Sequence, residues 1–153
     1  MKRDPSLIPL SHDHHEGLIF AFRIQHGRGP SGRPWDAETA ADQAREAVAF
    51  FRDHLTPHFR AEEEVIFPVL EPYLRPGEGV VAELREEHAR LAALVRELEE
   101  ATGDLPEALR AFGELLTQHI RKEEQDLFVL FEQRVPAAEV KRAGEAVARI
   151  LER

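Results

Sequence analysis

A segment of this chain is written twice, and the repeat restricts the fold more than any other feature. HFRAEEEVIF at 58–67 recurs as HIRKEEQDLF at 119–128, and residues 55–70 align with 116–131 without a gap. Leu, Thr, His, Arg, Glu, Glu and Phe fall at matching positions. In each copy a histidine precedes a glutamate by four residues. On a helix that spacing leaves the two side chains about 40° apart around the axis, hence on one face. The same face carries Phe51, Leu55, Ile66 and Val69 in the first copy and Phe112, Leu116, Leu127 and Leu130 in the second. His58, Glu62, His119 and Glu123 are therefore expected to point into a core, with Arg60 and Glu64 pointing out. A buried carboxylate is unfavourable unless paired, hydrogen-bonded or bound to a metal. Imidazole with carboxylate suits iron, manganese or zinc. Two glutamates can also bridge two ions.

The rest of the chain reads as helices that would carry this repeat. Apolar residues recur with helical period almost throughout, and β-branched runs are scarce. A first helix is expected over about 11–26, capped by Ser11, with Leu18, Ile19 and Phe22 on its apolar face. HGRGPSGRP at 26–34 reads as a loop. A second helix starts at an Asp36 cap and reaches the early seventies. Pro57 should kink or break it, and Pro68 and Pro72 should loosen its end. RPGEG at 75–79 is a turn, a third helix covers about 79–101, and TGDLP at 102–106 is the next turn, with Asp104 or Thr102 as cap. A fourth helix covers about 105–133, and Pro136 opens a short fifth one to about 152. The expected fold is all-α: an up-down antiparallel four-helix bundle with a short additional C-terminal helix, one domain over 1–153 whose core bundle is about 8–133. The two copies of the repeat lie on the second and fourth helices, which such a bundle orients the same way.

The other two helices would complete a metal site. His88, in EEHARL, lies on the stripe of Leu84, Leu91 and Val95. SHDHHEGL at 11–18 offers three histidines, and laying His15 over His88 lays Leu18 over Leu91. His15 is thus chosen from the first helix, with His14 and His12 in reserve. His54, Glu63 and Glu124 are weaker candidates, since the bland reading of His54 is a core-edge histidine and that of the glutamates a solvated face.

Composition removes several alternatives. With 20 Lys+Arg against 29 Asp+Glu, the formal charge of −9 argues against nucleic acid as a partner, because phosphate binding needs a basic face. No apolar run approaches the roughly 20 residues of a membrane span. The absence of cysteine excludes disulfides and thiolate metal sites. A cytoplasmic location is the simplest reading. HEGLI at 15–19 lacks the second histidine of a zinc-hydrolase motif. No histidine has a glutamate three residues before it, the pairing used by ferritin-like carboxylate enzymes.

HFRAEEEVIFP and HIRKEEQDLF, with an upstream HH and a central EEH, resemble the hemerythrin-like (HHE cation-binding) domain over about residues 8–133. The resemblance implies two non-haem iron ions joined by an oxo or hydroxo bridge. His15, His58, His88 and His119 would be terminal ligands, and Glu62 and Glu123 bridges. Family roles include reversible oxygen binding, sensing of oxygen, redox state or iron, and protection from oxidative or nitrosative damage. The family's oxygen carriers place two histidines four apart on the third helix. Here the residues four before and after His88 are Leu84 and Ala92, so four histidines stand where carriers use five. The resemblance therefore implies a protein that binds or senses oxygen, a related small ligand or iron. A di-iron oxidase, peroxide-scavenging or damage-repair enzyme is the alternative, and a metal-free structural or interaction bundle ranks below both. Protein partners and homodimerisation stay open.

Overall fold

A computed structural model of the chain describes residues 2–25, 37–101 and 103–152. Those residues form helices joined by turns, and no strand occurs among them. Helix α1 is Ile8–Gln25, led by the 3-10 turn Pro5–Leu7, which Asp4 caps by accepting from the Ser6 amide at 2.9 Å. Helix α2 covers residues 37–70 and ends in the 3-10 turn Glu71–Tyr73. Helix α3 is Val80–Glu100. Helix α4 covers residues 105–134, and α5 is Ala137–Leu151. The turn before α3 closes where the Glu78 amide donates to the Arg75 carbonyl, with Gly77 at φ +88°, a conformation glycine adopts without strain.

Three sequence expectations change. First, α1 begins three residues before Ser11, whose hydroxyl donates to Glu124 Oε2 instead of capping the helix. Second, the expected apolar face of α1 is not the buried one: Ile19 and Phe22 are 54% and 64% exposed, whereas Leu10, Asp13, His14, Gly17, Ala21 and Ile24 are buried. The reason is close approach. A Cβ on Gly113 of α4 would lie 2.9 Å from the Ala21 carbonyl oxygen. The α1–α4 seam therefore takes glycine and alanine at its tightest points, and Ile19 and Phe22 face outward. Third, Pro57 does not break α2. A π turn, Phe51–Leu55, precedes it, the Thr56 hydroxyl donates to the Phe51 carbonyl, and the backbone stays right-handed helical into Thr56–Ala61. The Asp36 and Thr102 caps and the 26–34 loop lie outside the described residues. Asp104 does cap α4, accepting from the Glu107 amide at 3.2 Å.

Two further π turns occupy matching places in the repeat. Glu62–Ile66 ends with the Phe67 amide donating to the Glu62 carbonyl, and Glu123–Leu127 with the Phe128 amide donating to that of Glu123. Val129 stands in the second copy where Pro68 stands in the first, so proline does not explain the pair. π turns concentrate at functional sites, and each of these begins at an inward glutamate.

α4 packs against α1 and α3, and α3 against α2. α5 lies against the middle of α2 and the turn ahead of α1, burying Val140, Ala143 and Val147. The apolar interior falls into two clusters. One includes Phe20, Leu55, Leu91, Phe112 and Leu116, the other Leu7, Leu10, Ile66, Phe67, Leu84 and Phe131. Along α1 and α3, His14 and His88 fall between the two clusters, and on α2 and α4 the buried histidines and glutamates lie where one cluster gives way to the other. No helix among the described residues is long and apolar enough to cross a membrane.

Candidate metal centre

His58 and Glu62 enter from α2, His119 and Glu123 from α4, His88 from α3 and His14 from α1. All six are between 0% and 6% exposed. They form two groups of four potential donors, His14, His58, Glu62 and Glu123 in one and Glu62, His88, His119 and Glu123 in the other. Within each group the donor atoms lie within 4.8 Å of one another. The two glutamates belong to both groups.

The imidazoles present Nε2 inward. His14 Nε2 lies 2.8 Å from Glu123 Oε1, His58 Nε2 3.5 Å from Glu62 Oε2, His88 Nε2 3.2 Å from Glu62 Oε1, and His119 Nε2 3.3 Å from Glu123 Oε2. Each Nδ1 meets a second carboxylate. His14 Nδ1 donates to Glu124 Oε2 (2.6 Å), His58 Nδ1 to Asp13 Oδ2 (3.1 Å), His88 Nδ1 to Glu63 Oε1 (3.1 Å) and His119 Nδ1 to Glu87 Oε1 (2.8 Å). An ionised carboxylate only accepts, so this ring of carboxylates places a proton on Nδ1 and makes Nε2 available as a ligand. Phe59 stacks on His88 at 3.9 Å and meets His119 edge-on, while His14 stacks on Phe128 at 5.3 Å. The aromatic rings fix the imidazole planes and keep water out.

Glu62 Oε1 and Oε2, His88 Nε2, His119 Nε2 and Glu123 Oε2 are buried and meet no hydrogen-bond partner. A buried polar atom left unpaired loses about 1–3 kcal/mol of solvation. A cation in each group would satisfy these atoms together, and the nitrogen-and-oxygen donor set is that of iron, manganese or zinc. The residues therefore fit the metal that the sequence called for. Electrostatics agree. Burial opposes charge on His119, but the Glu123 charge, with Glu87 and Glu62, raises its pKa to about 10. His58 is likewise raised well above its ordinary value against burial, chiefly by the Glu62 charge. Burial would raise the Glu123 carboxyl, yet the His119 charge and its other neighbours hold it well below the usual carboxylate range.

The structure brings His58, Glu62, His88, His119 and Glu123 together and corrects the choice on α1. His15 is exposed, as is His12, whereas His14 is 4% exposed and inside the cluster. Helix phase is the cause: the shift that lays His14 on His88 also lays Leu10 on Leu84, Asp13 on Glu87, Gly17 on Leu91, Ala21 on Val95 and Ile24 on Leu98, all buried. Matching Leu18 to Leu91 instead put the register one residue out. His54 is exposed, stacks on Phe50 and lies 3.9 Å from Glu16. Glu63 and Glu124 are not inward donors but partners of Nδ1. Asp13 and Glu87 belong to the same outer ring and are not among the residues expected from the sequence. Their signal was present, an acidic residue directly before a histidine in DH at 13–14 and EH at 87–88.

The Hemerythrin HHE cation binding domain model matches residues 6–131, and the chain belongs to that family. It is also similar to a DNA nickase of Nostoc sp. (strain PCC 7120 / SAG 25.82 / UTEX 2576), with 32% identity over 77 residues. That match covers 48% of this chain and 21% of the relative, so the chain spans about a fifth of the length of the curated relative it matches. No solved structure matches the chain at a significant level. The charge-based expectation that nucleic acid is not a partner gains no support from this relative.

Proposed function

We propose that the chain is a non-haem di-iron protein that binds or senses oxygen, a related small oxidant or iron. In this reading it is a single cytoplasmic domain whose four long helices form an up-down antiparallel bundle. The observation that carries the reading is the pair of four-donor groups sharing Glu62 and Glu123, with every imidazole backed by a carboxylate at Nδ1. His14 and His58 would hold one ion, His88 and His119 the other, and the two glutamates both. Bound iron would supply a redox couple and coordination positions open to a small ligand.

The chain's own residues set what reaches that ligand position. Leu55, Phe59, Leu116 and Ile120 wall a cavity of about 10 Å³ against His58, His119 and Glu123. That is room for one water-sized molecule. The larger clefts lie away from the cluster. One of about 380 Å³ is lined by Glu78, Val80, Asp126 and Leu130. The site thus favours a diatomic or similarly small ligand over an organic substrate. The outer carboxylates hold the imidazole tautomers, and the buried apolar wall excludes water from Nε2.

The equivalence of the two groups, two imidazoles and the two shared glutamates each, favours a second reading as a di-iron oxidase or peroxide-scavenging enzyme. A DNA-directed role by analogy with the nickase has the net charge of −9 against it. The test is iron content per chain after anaerobic purification, with absorption spectra before and after air. About two irons per chain and a spectral change on exposure to air support the reading. A stable oxygenated spectrum selects the carrier or sensor, and turnover of peroxide or ferrous iron the enzyme. Less than one metal per chain, unchanged by reconstitution, would sink both.

A further inference from the structure

The outer carboxylates are not equally held. Glu87 accepts from Lys122 Nζ at 2.6 Å as well as from His119. Glu124 accepts from His14, from the Ser11 hydroxyl at 2.8 Å, and from a residue ahead of α1: Arg3 Nη2 lies 3.2 Å from Glu124 Oε1 and 3.0 Å from the Glu124 carbonyl oxygen. The other arm of the same guanidinium donates to Glu132 Oε1 at 2.7 Å, and Glu132 Oε2 accepts the Asp4 amide at 2.6 Å. The Arg3 guanidinium also sits over the Phe128 ring at 5.3 Å, and the same ring stacks on His14. Arg3 therefore reaches one imidazole by two routes, through the Glu124 carboxylate and through the Phe128 ring. Its side chain is 22% exposed, so the link is partly shielded from solvent.

We infer that Arg3 is a positioning residue for the metal position built on His14 and His58, acting through Glu124 on the orientation and tautomer of His14. Lys122 does the same for the other position through Glu87 and His119. Each position thus has one imidazole whose backing carboxylate is locked by a cation, and in the first the lock comes from outside the helices. A guanidinium suits that place because its rigid planar fork directs one arm to each of two carboxylates, Glu124 and Glu132. The inference rests on the metal-centre reading above. Loss of such outer-ring partners typically weakens metal binding about 10–100-fold.

The experiment is a competitive iron(II) titration against a chelator, on the full chain, of wild type, Arg3→Ala, His14→Ala and the double variant, with thermal unfolding of each metal-free form. Arg3→Ala is expected to weaken one of two equivalents by about 10–100-fold and leave the other unchanged. In the His14→Ala background the same change should have no further effect, because its route to the metal is already gone. Equal losses in both backgrounds, or both equivalents falling together with the melting temperature, would show a merely structural role and overturn the inference. Two unchanged equivalents in Arg3→Ala overturn it as well. A wild-type chain that takes up no metal overturns the metal-centre reading and this inference with it.

Discussion

The difference between two neighbouring histidines decides what this site is. His14 and His15 differ by about 100° of helix rotation, which separates a buried donor 2.8 Å from Glu123 from an exposed side chain. Composition cannot tell them apart, since both are imidazoles flanked by acids. Their environments can. His14 has Glu124 behind it and Phe128 against its face. His14→Ala is expected to remove at least one metal equivalent, and His15→Ala to leave metal content unchanged, as measured by iron analysis of the purified variants. The reverse result would restore the register that places Leu18 on Leu91. Glu62 and Glu123 show the same dependence on neighbours. Each is wholly buried, and a cation held between them would satisfy the carboxylate oxygens that meet no hydrogen-bond partner.

Among the helices, the α1–α4 contact sets how far apart the donors sit. Gly113 lies where a Cβ would be 2.9 Å from the Ala21 carbonyl oxygen and 3.1 Å from the Gln25 amide nitrogen, both backbone atoms that cannot swing aside. Gly17 also has a close neighbour, but it is the Ile120 Cδ1 atom, the end of a flexible side chain. Gly113→Ala is therefore expected to destabilise the fold by about 1–3 kcal/mol through overpacking and to lower metal affinity by moving His14 away from Glu123. Gly17→Ala should be milder on both counts. Urea unfolding of the two variants, each compared with wild type, checks the order. A Gly113→Ala chain as stable as wild type would mean that α1 shifts without penalty. The paired π turns act on the same scale. Each begins at an inward glutamate and places an extra residue in the helix, so both His58-to-Phe67 and His119-to-Phe128 keep their apolar residues buried while the carboxylate also faces in.

Over the whole molecule, protons and metal compete for one set of atoms. In the metal-free protein His119 titrates at about 10, against about 6.5 when unfolded. A group whose folded pKa is raised contributes stability that is complete below its unfolded pKa and is lost as pH rises to the folded value. His14 and His58 are raised in the same direction. Glu123 is depressed from 4.5, so its contribution is present above that value and is lost on acidification. The metal-free chain is therefore expected to melt highest between about pH 4.5 and 6.5 and to lose stability from there towards pH 10. Metal binding should show the opposite trend, because Nε2 must give up its proton to become a ligand. Loading at pH 7 should release protons into weak buffer and should tighten as pH rises. Melting curves of both forms at pH 6 and 9, with proton release followed by an indicator, test this. A metal-free melting temperature that climbs from pH 6 to 9 would contradict the charge balance at the cluster.

The sequence by itself determined the helical class, the repeat and five of the six inward donors. A period fixed by backbone geometry turns a spacing of four into a shared face, and a matched pair of buried carboxylates points to a cation. The expected bounds of α3, about 79–101, agree with Val80–Glu100 almost to the residue, because Gly79 and the turn before it leave a single starting point. What only the tertiary structure decided was the phase of α1, the passage of α2 through Pro57 and the outer ring of Asp13, Glu63, Glu87 and Glu124. Each depends on how closely a second helix approaches. Glycine and alanine become the buried face where α4 lies against α1, a proline is absorbed by a π turn that stays within the helix, and an acidic residue on a polar face becomes a partner once an imidazole from another helix arrives beside it.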